Sequence, residues 1–99
     1  MKVKPNLTVI EGVVRAIRPD AGGYGSNVEI VVSRNVSPEE AEDFLKPKPG
    51  EMLALFTPET PKSEPGQRVR VQARLLAGPF GERSILEHLE AIASGGSGQ

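Results

Sequence analysis

Ninety-nine residues with a formal net charge of −1 make one domain, long enough to bury roughly 60–70% of the surface that the unfolded chain exposes. Cysteine is absent and there is a single histidine, which excludes disulfides, thiolate metal sites and a multi-histidine centre within one chain. The charge balance is not that of a strongly basic nucleic-acid binder, no stretch approaches the ~20 apolar residues of a membrane span, and no long apolar run follows Met1-Lys2-Val3-Lys4-Pro5, so the expectation is a cytoplasmic protein without a signal peptide or a membrane partner.

Leu7 to Arg18, LTVIEGVVRAIR, is rich in valine and isoleucine with Gly12 at its middle. It reads as a long first strand bent at that glycine, because glycine inside a strand marks a bulge or sharp bend. Leu7 and Val9 share one face of it. Pro19 to Asn27, PDAGGYGSN, is a glycine-rich loop with Tyr24 in its middle. It lacks the closing Gly-Lys-Ser/Thr and the following helix of a phosphate-cradling loop. Asn27 to Arg34 is a second strand, with Val28, Ile30 and Val32 on one side.

Ser37 to Lys46 predicts a short helix. Ser37 stands as N-cap, Pro38 in the first turn and Glu40 as the partner of a capping box. Glu39, Glu40, Glu42 and Asp43 favour the positive end of a helix dipole; their spacing matches no calcium loop. Ala41, Phe44 and Leu45 give the helix an apolar face, and Pro47, Pro49 and Gly50 stop it. Glu51 to Thr57 is a third strand. Pro58 to Pro65 carries three prolines and reads as an exposed, stiff connection.

The strongest pattern follows. Val69, Val71, Ala73 and Leu75 alternate with Arg68, Arg70, Gln72 and Arg74, the period-2 signature of a strand with one apolar and one basic face. Gly78-Pro79-Phe80-Gly81 supplies a reversal. The return segment from Ser84 to Ile92 has two readings. Its position after a glycine turn suits a strand paired with the one before it. Ser84 with Glu87 as a capping box, and Ile85, Leu86, Leu89 and Ile92 as a stripe, suit a helix. The strand is the reading taken here. Residues 1–93 then form a single domain, and 94–99, SGGSGQ, a flexible tail.

The bent strand around Gly12 in EGVVRAI, and GQRVRV followed by the hairpin through GPFGE, resemble an OB-fold, the oligonucleotide- and oligosaccharide-binding barrel. The resemblance implies a mainly β chain, a small five-stranded Greek-key barrel with one short helix. That helix stands between the second and third strands of this chain, whereas OB barrels usually place it between the third and fourth. The resemblance also places a ligand face on the middle strands, flanked by the loop holding Tyr24 and the turn holding Phe80.

The expected function is that of a small non-enzymatic binding module for single-stranded DNA or RNA with little sequence preference. Arg68, Arg70, Arg74 and Arg83, with Arg18 and Arg34, would neutralise phosphates, while Tyr24 and Phe80 stack on bases. The competing expectation is a protein-interaction or assembly module on the same barrel, with Glu11, Glu29, Glu82, Glu87 and Glu90 merely pairing the arginines across a wet sheet face. Phe44 and Phe56 are expected in the core, and His88 is expected to be structural or solvated. No cofactor is implied. An enzyme is disfavoured because no G-x-S-x-G elbow, no cysteine nucleophile and no nucleophile at diagnostic spacing from His88 is present.

Overall fold

The computed structural model describes residues 3–79 and 81–92. Five strands run β1 Thr8–Pro19, β2 Ser26–Asn35, β3 Met52–Thr57, β4 Arg68–Gly78 and β5 Gly81–Ala91. They close into a barrel in the order β1-β2-β3-β5-β4. Four of the five junctions are antiparallel. The fifth, between β3 and β5, is parallel and consists of the single bridge Phe56↔Ile85. The expected mainly β, five-stranded barrel is therefore present. No described helix is long and apolar enough to cross a membrane.

The return segment is a strand. β5 pairs with β4 from Gly78↔Gly81 to Val69↔Ala91. Ser84 lies opposite Leu75 in this ladder, so it caps no helix. A four-residue reversal followed by a facing strand with a long unpaired edge lets each backbone group find a partner at once. The helical alternative would have left the β4 edge bare.

The core follows the alternation. Val28, Ile30 and Val32 of β2, Leu55 of β3, and Val69, Val71 and Ala73 of β4 point inward with Ile10 and Val14 of β1. On β1 the inward positions before the bend are Thr8 and Ile10; Leu7 and Val9 are only half-buried. β1 keeps one face inward through Gly12, with Ile10 and Val14 both in the core; the register slip between Glu11 and Gly12 leaves Ser33 of β2 as the extra residue. A Cβ on Gly12 would stand 2.4 Å from the Val31 carbonyl oxygen. Only glycine allows that approach. A second slip, between Val14 and Ala16, leaves Arg15 as the extra residue of β1, and β1 changes face there, so that Ile17 rather than Ala16 packs against the core.

The helix expected over Ser37 to Lys46 does not form; no helix is present among the described residues. Its polar residues are used for tertiary bonds instead. The Ser37 hydroxyl accepts the Val9 N–H at 2.9 Å and donates to Asn35 Oδ1 at 2.6 Å. The Asp43 carboxylate accepts the Thr8 hydroxyl, the Asn35 amide and the backbone N–H of Lys46. Burial by itself pushes the Asp43 carboxyl up, but these donors together hold it below its ordinary value. Glu42 exchanges backbone bonds with Pro5 and Leu7. A ten-residue helix is marginal in water, and serine, asparagine and aspartate compete for backbone groups at its expense. The result is a strap from β2 to β3 that covers one barrel end with Leu45 against the core. Phe44, expected in the core, is instead 53% exposed.

Gly12→Ala should lower unfolding free energy by about 1–3 kcal/mol, the usual cost of forcing extra volume against a packed neighbour. Urea denaturation of the two proteins, with unchanged slope and a lower midpoint for the variant, is the expected outcome.

Candidate nucleic-acid interface

The register of β1, β2 and β3 fixes which side chains share their outer face. Residues between the core positions form cross-strand rows: Arg18, Asn27 and Phe56; Ala16, Glu29 and Ala54; Val13, Val31 and Met52. Phe56, expected in the core, lies in the first of these rows and is half-buried on the outside of the barrel. Its inward neighbours are Leu55 and Thr57, both buried.

Phe56 is the centre of a compact cluster. Tyr24, 67% exposed, leans over it from the β1–β2 loop with ring centroids 6.4 Å apart and planes tilted by 45°. The Arg83 guanidinium from β5 sits 3.9 Å from the Phe56 ring centroid. That is a cation–π contact, the attraction of a cation to the negative face of the ring. Gly25 permits this packing. Its φ is +76°, and a Cβ there would meet the Phe56 ring at 2.7 Å.

Asp20 ties the two flanking loops together. It pairs with Arg83, accepts Asn27 Nδ2–H at 2.8 Å and accepts the Gly22 backbone N–H at 3.0 Å. The Asn27 hydrogen bond, then that from Gly22, holds its carboxyl below the ordinary aspartate range, with Arg83 adding to the effect. The loop that carries Tyr24 is therefore clasped to the start of β5. On the same face the Arg18 Nε lies 2.9 Å from Glu29. Arg15, the bulge residue, reaches across β2 to the Met52 sulfur at 3.5 Å.

The other arginines divide between two further places. Glu11 lies on the outside of β1 between β2 and β4 and is 5% exposed beneath two guanidinium groups. Arg34 Nε donates to it at 2.8 Å and Arg70 Nε at 3.1 Å. These hydrogen bonds, Arg34's first, lower its pKa from 4.5 to about 2. Arg68 stands opposite Val13 in the β1–β4 ladder. Arg74 faces Glu87 of β5 at 3.3 Å, with no hydrogen bond formed by its Nε. The sequence-derived set is thus split. Tyr24 and Arg83 meet at Phe56; Arg18 stands in the same cross-strand row but pairs with Glu29; Arg34 and Arg70 enclose Glu11; Arg74 belongs to the β4–β5 sheet. Phe80 and the 94–99 tail lie outside the described residues.

Sequence reasoning missed Phe56 as a surface group, whereas Arg15 stands with Arg18 and Arg34 among the cations that the sequence offers. The run Met52 to Thr57 is apolar at nearly every position, so its two faces look alike. Comparison of the chain with protein-family models, characterised proteins and solved structures gives no match.

Two outcomes are expected. A carboxyl with its folded pKa near 2 stabilises the fold fully above its ordinary value of 4.5 and loses that contribution as pH falls through about 2. Glu11→Gln should therefore be less stable than the parent at pH 7 and lose less on acidification, with the residual acid sensitivity coming from Asp20 and Asp43. Denaturation midpoints between pH 7 and 2 measure this. Arg83→Ala should leave the barrel folded, since the pair it loses is half-exposed, but speed amide hydrogen exchange over residues 20–27 several-fold.

Proposed function

We propose that the chain is an OB-fold module that binds single-stranded nucleic acid with low sequence specificity, using the outer face of β1, β2 and β3. The observation that carries this reading is the Tyr24–Phe56–Arg83 cluster, set on a sheet face between two loops. The closed strand order β1-β2-β3-β5-β4, with a parallel β3–β5 junction, is compatible with an OB barrel, in which the face of strands two and three and two flanking loops bind the ligand.

The chemistry suits a splayed single strand. Tyr24 offers an exposed ring on which a base can stack, and Phe56 with its guanidinium cap lies directly beneath as a second, rigid platform. Arg83 and Arg18 are about half-exposed or more and can turn toward phosphates. Arg15 and Arg68 have no carboxylate partner among the described residues, and they flank the Val13–Val31–Met52 row that joins this face to β4. Arg34 and Arg70 share the Glu11 carboxylate and Arg70 also faces Glu90 of β5, so this group is charge-balanced and serves to hold the strands together. Low specificity follows from stacking and charge, which every base and phosphate satisfies alike. A cytoplasmic, non-enzymatic role is consistent with the cysteine-free composition.

The chain has one tyrosine and no tryptophan, so its intrinsic fluorescence reports Tyr24 directly. Labelled single-stranded DNA or RNA should bind with micromolar affinity at low salt, weaken as salt rises, and quench that fluorescence. Phe56→Ala should cost roughly 1–3 kcal/mol of binding, the usual worth of one stacked base. Anisotropy titrations measure both. Absence of binding at low salt, or binding indifferent to Phe56 and Tyr24, would overturn the reading.

A further inference from the structure

The described residues hold one sulfur atom, and it lies on the outer face of β1–β3. The chain has no cysteine, and Met52 is its one methionine besides Met1. Met52 opens β3, shares a cross-strand row with Val13 and Val31 and is 44% exposed. Its row partners are unreactive hydrocarbon. Its neighbour from across β2 is a cation. Arg15, the extra residue of the β1 bulge, is exposed and forms none of the ion pairs found among the described residues. Its Nη1–H instead points at the Met52 sulfur, 3.5 Å away. A thioether is a weak acceptor, so the guanidinium is placed at the sulfur without being held firmly there.

We infer that Met52 is a site of reversible oxidation by peroxides and that Arg15 binds the oxygen so added. The step balances with hydrogen peroxide as the oxidant. A lone pair of the thioether attacks one peroxide oxygen; the S–O bond forms as the O–O bond breaks. The departing hydroxide takes the proton from the oxygen now on sulfur, leaving methionine sulfoxide and water. Sulfur loses two electrons and the peroxide gains them. The exposed sulfur admits the peroxide, and the guanidinium beside it offers N–H groups to the departing hydroxide. The product differs from the thioether in polarity. Its oxygen is a strong acceptor within reach of an N–H that already points at the sulfur, and the bond to a guanidinium is charge-assisted. Arg15 is then fixed over the start of β3, and the apolar row gains a polar group. This effect on the surface bears on the nucleic-acid reading, since Arg15 is one of the two arginines there without a carboxylate partner among the described residues. Oxidation withdraws it from phosphates.

The test has two arms, and the first does not rest on nucleic-acid binding. The isotope-labelled full chain is treated with hydrogen peroxide. Peptide mass mapping should place one added oxygen on Met52. The Arg15 guanidinium N–H resonances should shift, and their exchange with water should slow several-fold. A methionine sulfoxide reductase should reverse both changes. Met52→Leu, a swap of similar volume at an exposed position, should show no response of Arg15 to peroxide. No oxygen on Met52 under conditions that oxidise free methionine, or an Arg15 side chain indifferent to the added oxygen, would overturn the inference. The second arm rests on the nucleic-acid reading and uses labelled single-stranded DNA. The oxidised chain should bind it several-fold more weakly, with a salt slope smaller by about 0.7, the share of one phosphate contact on a single strand. Arg15→Ala should bind more weakly from the outset and keep its salt slope on oxidation. Unchanged affinity and slope in an oxidised chain that binds DNA would overturn the withdrawal of Arg15. Failure of the untreated chain to bind DNA would count against the nucleic-acid reading, while the first arm would still decide the oxidation site.

Discussion

The structure depends on β1 pairing along both of its edges. Between Thr8 and Val13 the same residues face β4 on one side, and from Ile10 onward they face β2 on the other. A flat strand cannot serve two sheets that curve toward each other. The close approach at Gly12, where the Val31 carbonyl oxygen sits in the space a side chain would need, the extra residue Ser33 of β2 and the bulge at Arg15 supply the curvature. Closure then follows with a core of branched aliphatic residues, and no large aromatic is needed inside. The aromatic side chains of the described residues are consequently left for the surface: Tyr24 and Phe56 at one face, Phe44 on the strap.

The ladder also sets the electrostatics. Alternation turns Glu11 outward beside inward Ile10, and the extra residue Ser33 in β2 brings Arg34 opposite it, so two neighbouring strands each offer an arginine. A carboxylate so placed is costly without partners and is held by two charge-assisted bonds. Glu90 of β5 stands opposite Arg70 and balances the second cation, and the group ties β4, β1 and β2 together across their backs. Asp20 does similar work at the other end, where its donors fold the β1–β2 loop and its pairing with Arg83 fastens that loop to the hairpin. The β1–β2 loop that carries Tyr24 is thus held against β5, beside Phe56.

The β3–β5 seam shows the opposite economy. A single bridge closes the barrel there, and a proline-rich connection lies where a strand would fit. The strongly paired side of the molecule carries the rings and arginines on its outer face, whereas on the weakly paired side β5 has no strand partner past Ile85 among the described residues.

By itself the sequence determined the strands. Alternation in Val28–Val32 and Val69–Ala73, and the glycines at 12 and 78–81, were sufficient because period-2 burial and tight reversals are local properties. It also pointed to Tyr24 and the arginines as exposed groups. Only the tertiary structure decided what those groups do. Ser37, Glu40 and Asp43 carried a sound helix signature, yet distant Thr8, Val9 and Leu7 took the bonds a helix would have used. Phe56 lies in a run where both faces are apolar, so its direction was set by register with Asn27 and Ile85. The pairing of Arg83 with Asp20, 63 residues apart, and of Arg70 with Glu11, 59 apart, was likewise invisible in the chain. Contacts of that separation exist only once the barrel closes, because closure, not local preference, brings β5 beside β3 and β4 beside β1.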